Sequence, residues 1–307
     1  MGDRSSRARR RAATGFTAVL ALFTTFVLLD TFVVAHPYAI VAQPEETDPS
    51  GQGRVAPAAS MCGVAPQSAP TTHTDPSRAV VVSSYRVDGT NVYVADVVLS
   101  DPAALKTAFA SQTYGRNVTE TTSRIAAAND ALLAVNGDFY GARSSGYVVR
   151  GGEVYRDRAS SKDQEDLAVM RDGTWRIVRE GDASAAELVA EGAVDVFSFG
   201  PGLVADSRTV VDAGAEVDRA QASNPRTAIA WEGESHYLFV VADGRTSASA
   251  GLSLSQLGDF LVGCGAATAY NLDGGGSTTM WFQGQVVNHP TDGRSQGERK
   301  VSDIVYI

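Results

Sequence analysis

The sequence predicts an α+β protein, a mainly antiparallel β-sheet core flanked by a few helices and preceded by an N-terminal transmembrane helix. Three observations predict it. Runs of β-branched and other apolar residues recur in pairs about short Gly-containing turns, the pattern of hairpins. Few segments carry helical spacing. A 21-residue apolar run, residues 15–35 (GFTAVLALFTTFVLLDTFVVA), stands near the N terminus.

Residues 1–14 include Arg4, Arg7, Arg9, Arg10 and Arg11, and the run that follows is broken only by Asp30. A bilayer core of about 30 Å needs roughly 20 apolar residues in a helix, so residues 15–35 suffice for a signal anchor. The arginines then stay in the cytoplasm and the rest is exported. Cleavage after Ala35, behind Val33 and Val34, is the competing reading, although the apolar stretch exceeds the 7 to 15 residues usual in a signal peptide. Asp30 reaches the interface, pairs with another helix, or is tolerated among headgroups.

Residues 36–78 are rich in Pro, Ala, Ser and Thr and hold the acidic pair Glu45 and Glu46. With no sustained apolar period, this segment reads as a flexible stalk. The body spans residues 79–307. It opens with a hairpin, AVVVSSYRVDGTNVYVADVVLS, turning at Asp88-Gly89-Thr90-Asn91. The Asp cap and early Pro of DPAALKTAFASQ, from Asp101, predict a helix, and residues 119–130 predict a second. LAVMRDGTWRIV turns at Asp172-Gly173, and RTAIAW and HYLFVVADGR flank a turn at residues 232–235. Ser253 and Gln256 match a capping box, with Leu254, Leu257, Leu261 and Cys264 on one face of the helix that follows.

Composition narrows the function. With 307 residues, 44% of them hydrophobic, and only two cysteines, the chain is neither collagenous, wholly disordered nor a disulfide-dense miniprotein. Its net charge is −9, and because the five leading arginines stand against only Asp3 and Asp30, the part beyond residue 35 carries −12. A duplex-binding surface needs a basic stripe, so no nucleic-acid partner is expected. Cys62 and Cys264 either bridge the pre-domain segment to the body, as export permits, or remain separate thiols.

The most informative stretch is residues 273–279, DGGGSTT. Gly274, Gly275 and Gly276 allow positive φ and close approach, so that successive N–H groups can form an anion nest, while Ser277 and Thr278 can donate to phosphate or sugar oxygens beside the carboxylate of Asp273. It is not a Walker loop, since the lysine is absent, nor a Rossmann fingerprint, nor a G-x-S-x-G elbow. Three other segments place polar residues at a strand's end: Asn136-Gly137-Asp138, Arg226-Thr227 and Asp243-Gly244-Arg245, beside Asn271-Leu272-Asp273. If these strands are neighbours, three carboxylates and two guanidinium groups share one cleft, which suits cleavage of an anionic substrate.

The ordered strings AVNGDFY, PRTAIAW, VVADGR and NLDGGGSTTM resemble the phosphodiester glycosidase family over most of residues 79–307. The resemblance implies hydrolysis of a sugar-1-phosphodiester at the glycosyl C–O bond. It implies catalytic roles among Asp273, Asp138 and Asp243, and substrate or phosphate contacts from Asn136, Arg226, Asn271, Gly274, Gly275, Gly276, Ser277 and Thr278, to which the strand-end reading adds Arg245. Only Lys106, Lys162 and Lys300 stand beside 23 arginines, a bias of GC-rich coding sequence; in a bacterial host the expected substrate is a cell-surface or exopolysaccharide glycan. Acid, base and nucleophile are not assigned.

Other readings stay open: a metal-dependent phosphodiesterase cutting the P–O bond, or a non-catalytic phosphoglycan-binding protein. No cofactor is required by the sequence, yet the Asp residues could hold Ca²⁺ or Mg²⁺. His36, His73, His236 and His289 lie in no zinc pattern. Trp175, Trp231 and Trp281 either stack on sugars or fill the core. Asn117-Val118-Thr119 fits a glycosylation pattern in a eukaryotic host.

Overall fold

The computed structural model describes residues 2–41, 62–211 and 222–307, with side chains described from residue 17 onward. Among the described residues stand four α-helices: α1 (Gly2–Phe32), α2 (Thr122–Ala128), α3 (Ala185–Ala190) and α4 (Leu254–Gly263). The remainder is built on antiparallel sheet. An eight-stranded sheet carries, in spatial order, Arg208–Thr209, Gly202–Ala205, Thr268–Leu272, Arg226–Gly233, His236–Ala242, Thr90–Leu99, Arg78–Val87 and Thr71–Thr74.

Alternation along these strands divides two cores. Val80, Val82, Ala95, Val97, Ile229, Phe239, Val241, Tyr270 and Leu272 face inward with Leu133, Val135, Leu167, Phe197 and Met280 of two five-stranded sheets. On the other face Leu254, Leu257 and Leu261 of α4 cover Ala228, Ala230, Val240 and Ala269. The capping box predicted for α4 is present at Ser253 and Gln256, and alanines below it leave room for close packing. The leading hairpin turns on Asp88 and Gly89 alone, with φ of 45° and 73°. These are the positive values that a two-residue turn between right-twisted strands requires.

Several predicted elements differ. The helix expected from Asp101 is only a 3₁₀ turn, Pro102–Ala104, capped by the Asp101 carboxylate accepting from the Ala103 N–H at 2.9 Å. Lys106–Phe109 is then a strand paired with Asp303–Tyr306, so a sheet ladder formed across nearly 200 residues overrides a local helical preference. The predicted stalk carries strands at both ends: His36–Ile40 pairs with Thr113–Arg116, and Thr71–Thr74 extends the main sheet against Arg78–Val87. Edge strands of the body offer unpaired backbone groups that these segments satisfy. Residues 42–61 of that predicted stalk lie outside the described residues. Cys62 and Cys264 form a disulfide, which fastens the pre-domain segment to the end of α4.

Residues 15–35 are helical through Phe32, and Val19, Leu22, Phe23 and Phe26 are exposed. Among the described residues no helix is both long and apolar enough to cross a membrane. The C-terminal end of α1 is tied to the body. Asp30 pairs with His36 at 3.2 Å and Arg116 at 3.7 Å, and the Asn117 amide donates to the carbonyls of Thr31 and Val34.

Strand direction positions the site. The 236–242 and 268–272 strands run out where the 226–233 strand begins, with Arg226 opposite Ala242 and Thr227 opposite Leu272. The Leu133–Asn136 strand of a neighbouring sheet ends at the same place, because the Asp273 N–H donates to the Gly137 carbonyl at 3.2 Å.

Candidate active site

Asn136 closes its strand as a buried four-way tie. Its amide nitrogen donates to the carbonyls of Asp273 at 2.6 Å and Gly137 at 3.3 Å, and its amide oxygen accepts from Thr227 Oγ1 at 2.8 Å and the Thr279 N–H at 3.2 Å. Asn288 makes a second tie, donating to Asp243 at 3.1 Å and to the Thr278 carbonyl at 3.0 Å while accepting from the Met280 N–H. Asp243, Asp273 and the glycine loop thus belong to one hydrogen-bonded assembly at one end of the sheets, and Asp138 adjoins it through Gly137, whose carbonyl accepts from the Asp273 N–H. All four sequence segments meet there.

The three carboxylates stand in different surroundings. Asp138 is buried, paired with Arg150 at 3.0 Å, and accepts from the N–H groups of Tyr140 and Ser198. Arg150 also meets Asp303 at 2.7 Å and lies 4.2 Å from the Phe197 ring centroid. Burial, with the charge of Asp138 beside it, pushes Asp303 up to about 8. Asp243 accepts from Asn288 and from the His289 N–H at 3.0 Å, and its second oxygen lies 3.3 Å from His289 Nδ1. The His289 ring is exposed and also meets the Tyr93 hydroxyl at 3.1 Å. Burial, then Asp243, pushes that hydroxyl up to about 12.

Asp273 lies nearest an exposed cation. Its carboxylate accepts from Arg299 Nη2 at 2.8 Å, and Arg299 Nε donates to Ser277 Oγ at 2.8 Å. Burial raises the Asp273 pKa, while Arg299 and Ser277 partly hold it down. Its charge state is therefore sensitive to whatever approaches Arg299.

The glycine loop is a tight 3₁₀ turn, Gly275–Ser277. Gly275 has φ of 64°, and a Cβ there would come within 3.0 Å of the Arg245 guanidinium; at Gly274 it would come within 2.7 Å of the Pro225 carbonyl. These glycines let backbone and cation approach closely. The open nest expected of the loop is not formed in that way. The N–H groups of Gly275, Ser277, Thr278 and Thr279 donate within the protein, to Pro225, Gly274, Gly275 and Asn136.

Three guanidinium groups border this loop. Arg299 is described above; Arg245 is exposed and donates to Asn224 Oδ1 at 3.1 Å and to the Asp292 carbonyl. Arg226 is half-buried, with Nε on the Leu252 carbonyl and Nη2 on the Ala222 carbonyl, both at 2.9 Å. Burial, then the like charge of Arg245, pulls Arg226 down to about 10, so the two cations repel and a bound anion would relieve it. Asn271 is buried and donates to the Gly200 carbonyl at 2.8 Å, bracing the strand below the loop.

Among the described residues no group of three or more His, Cys, Asp or Glu is arranged to hold a metal ion. A cavity of about 400 Å³, lined by Leu105, Phe109, Val169, Met170 and Tyr237, lies elsewhere, and none of the motif residues lines it. Arg150, Arg299, Asp303 and Asn288 escaped the sequence reading, and His289 was weighed there only as a zinc ligand. None of them lies in the four strings that pointed to the site.

The phosphodiester glycosidase family model matches residues 129–307. The SPbeta prophage-derived protein YomE of Bacillus subtilis strain 168 is 28% identical over 203 residues, which cover 64% of this chain and 31% of that protein. Mouse N-acetylglucosamine-1-phosphodiester alpha-N-acetylglucosaminidase is 34% identical over 86 residues, covering 27% of this chain and 16% of the mouse protein. The chain therefore spans a third or less of the length of these curated relatives. Among solved structures, the catalytic domain of the zebrafish enzyme of that name, auto-inhibited by pro-peptide, superposes with a TM-score of 0.60 at 19% identity, over 78% of this chain and 86% of that one. A hypothetical protein from Synechocystis gives 0.54 at 18% identity, over 77% and 63%. A putative exported protein from Burkholderia pseudomallei K96243 gives 0.52 at 19%, over 72% and 75%. These share the fold.

Proposed function

The chain belongs to the phosphodiester glycosidase family, and from that premise we propose that it hydrolyses a sugar-1-phosphodiester at the bond between the anomeric carbon and the phosphate oxygen. The observation that carries the reading is the meeting of Asp138, Asp243, Asp273 and the glycine loop at one sheet end, with Arg226, Arg245 and Arg299 around them. Water adds its oxygen to the anomeric carbon, and the phosphate departs with the bonding electrons as a monoester of the other alcohol. An oxocarbenium-like transition state gains from a nearby carboxylate, the role given to Asp273. Asp243, in contact with the exposed His289 ring, is the second candidate for proton transfer. Asp138, neutralised by Arg150, holds the turn beneath them. Arg226, Arg245 and the loop hydroxyls of Ser277 and Thr278 hold the phosphate.

The substrate class proposed is a phosphorylated glycan of the cell surface or an exopolysaccharide. Residues 15–35 are proposed to anchor the chain in the membrane with the body outside, a reading that their apolar length and the five preceding arginines support.

Hydrolysis in ¹⁸O-water tests the chemistry. Incubation with a panel of sugar-1-phosphodiesters is expected to release free sugar with the label on the sugar. Label on the phosphate, with chelators abolishing turnover, would instead establish a metal-dependent phosphodiesterase and overturn the glycosidase reading. Binding of phosphoglycan without turnover would leave a binding protein.

A further inference from the structure

The tryptophans lie away from the carboxylates: Trp175 stacks on Tyr237, and the Trp231 and Trp281 indole N–H groups donate to the carbonyls of Glu234 and Ala131. The exposed apolar ring beside the carboxylates is Phe139. Its neighbours are locked, Asp138 by Arg150 and Ser198, and Tyr140 by packing on Phe109 and Tyr114 at ring distances of 5.3 Å. Beyond residue 41, the exposed large apolar side chains among the described residues are Val64, Phe139, Val154 and Val210, so Phe139, 39% exposed, is the one aromatic. Its φ of −97° and ψ of 33° are open to most residues, so the backbone does not demand phenylalanine. A ring held in water forgoes apolar burial.

The Arg299 guanidinium lies 5.9 Å from the Phe139 ring centroid and reaches Asp273 and Ser277. Ring, cation and carboxylate form one continuous strip beside the glycine loop. We propose that Phe139 is the platform for the sugar ring of the substrate and that Arg299 grips the adjoining phosphate. This rests on the glycosyl phosphodiester reading and names its sugar subsite. A pyranose presents a face of C–H groups that packs on an aromatic ring while its hydroxyls stay wet. Arg299 has Nε and Nη2 on Ser277, Asp273 and the Gly274 carbonyl, and Nη1 is the donor assigned to the phosphate. The anomeric carbon, which joins sugar and phosphate, then falls between the two groups and beside Asp273.

The test uses the full chain in detergent and the methyl phosphodiester of N-acetylglucosamine 1-phosphate. Phe139→Ala is expected to raise KM about ten-fold or more with a much smaller change in kcat, the pattern of lost ground-state binding. Its melting temperature should stay unchanged, and Phe139→Tyr should restore KM. An unchanged KM in Phe139→Ala overturns the platform. Should the wild-type chain release no sugar, the hydrolytic reading alone fails, and Phe139→Trp fluorescence titrated with N-acetylglucosamine 1-phosphate decides the rest. A saturable change that inorganic phosphate does not reproduce supports the platform. No change, or the same change with inorganic phosphate, refutes it.

Discussion

Arg150→Met removes the cation that bridges Asp138 and Asp303 while keeping the side chain's length and its contact with Phe197. All three groups are buried, with nitrogen to oxygen distances of 3.0 and 2.7 Å. Burial alone would lower the Arg150 pKa, and the two carboxylates outweigh it and raise it. Breaking a buried pair by deleting one partner costs about 3–5 kcal/mol, because the remaining charge is stranded; here Asp138 is the charge left behind, since burial and Asp138 already favour the neutral form of Asp303. In a body of this size each kcal/mol moves the melting temperature by about 2–4 °C, so a fall of about 6–20 °C is expected by circular dichroism. Replacing the carboxylates as well, with Asp138→Asn and Asp303→Asn, should recover part of it. A single variant melting within about 2 °C of wild type, below the loss these costs imply, would refute the reasoning, as would a triple variant no more stable than the single one.

Asp273→Asn should lower turnover of the diester by about two decades or more, roughly 2.7 kcal/mol of barrier, with little change in melting temperature because Arg299 is half exposed; near-normal turnover in a folded variant removes Asp273 from the chemistry. Arg245→Gln should reduce kcat/KM on the anionic diester at least about ten-fold more than on a neutral aryl glycoside of the same sugar, and equal losses would deny it a phosphate contact. Burial, then the charge of Glu180, pushes Asp166 up to about 9, and an acid that binds its proton more tightly when folded contributes stability that is complete below the unfolded value near 4 and lost as pH rises toward 9. The melting temperature should therefore fall across that window and fall less in Asp166→Asn; parallel slopes in the two proteins would exclude Asp166 as the cause.

Much of the fold was legible in the sequence because it is written locally. The Asp88-Gly89 turn, the Ser253 and Gln256 caps and the Leu254, Leu257, Leu261 face each depend on residues within a few positions of one another. The helix expected from Asp101 failed for the opposite reason: Lys106–Phe109 is a strand only because Asp303–Tyr306 lies beside it. The His36–Ile40 and Thr71–Thr74 strands are likewise made by edges elsewhere in the chain.

By itself the sequence determined the mainly antiparallel class, the family through its ordered NGDFY, RTAIAW, ADGR and DGGGSTTM strings, and the segments that carry polar residues at strand ends. Tertiary structure alone decided what those residues touch. Arg150 serves Asp138 from 12 positions away and Asp303 from 153, and Arg299 reaches back 26 positions to Asp273. A turn or a cap is set by neighbours along the chain, whose identities can be read in order. A charge partner, or the exposure left to Phe139, is set by which strand ends the folded sheets bring together, and that information resides in long-range packing.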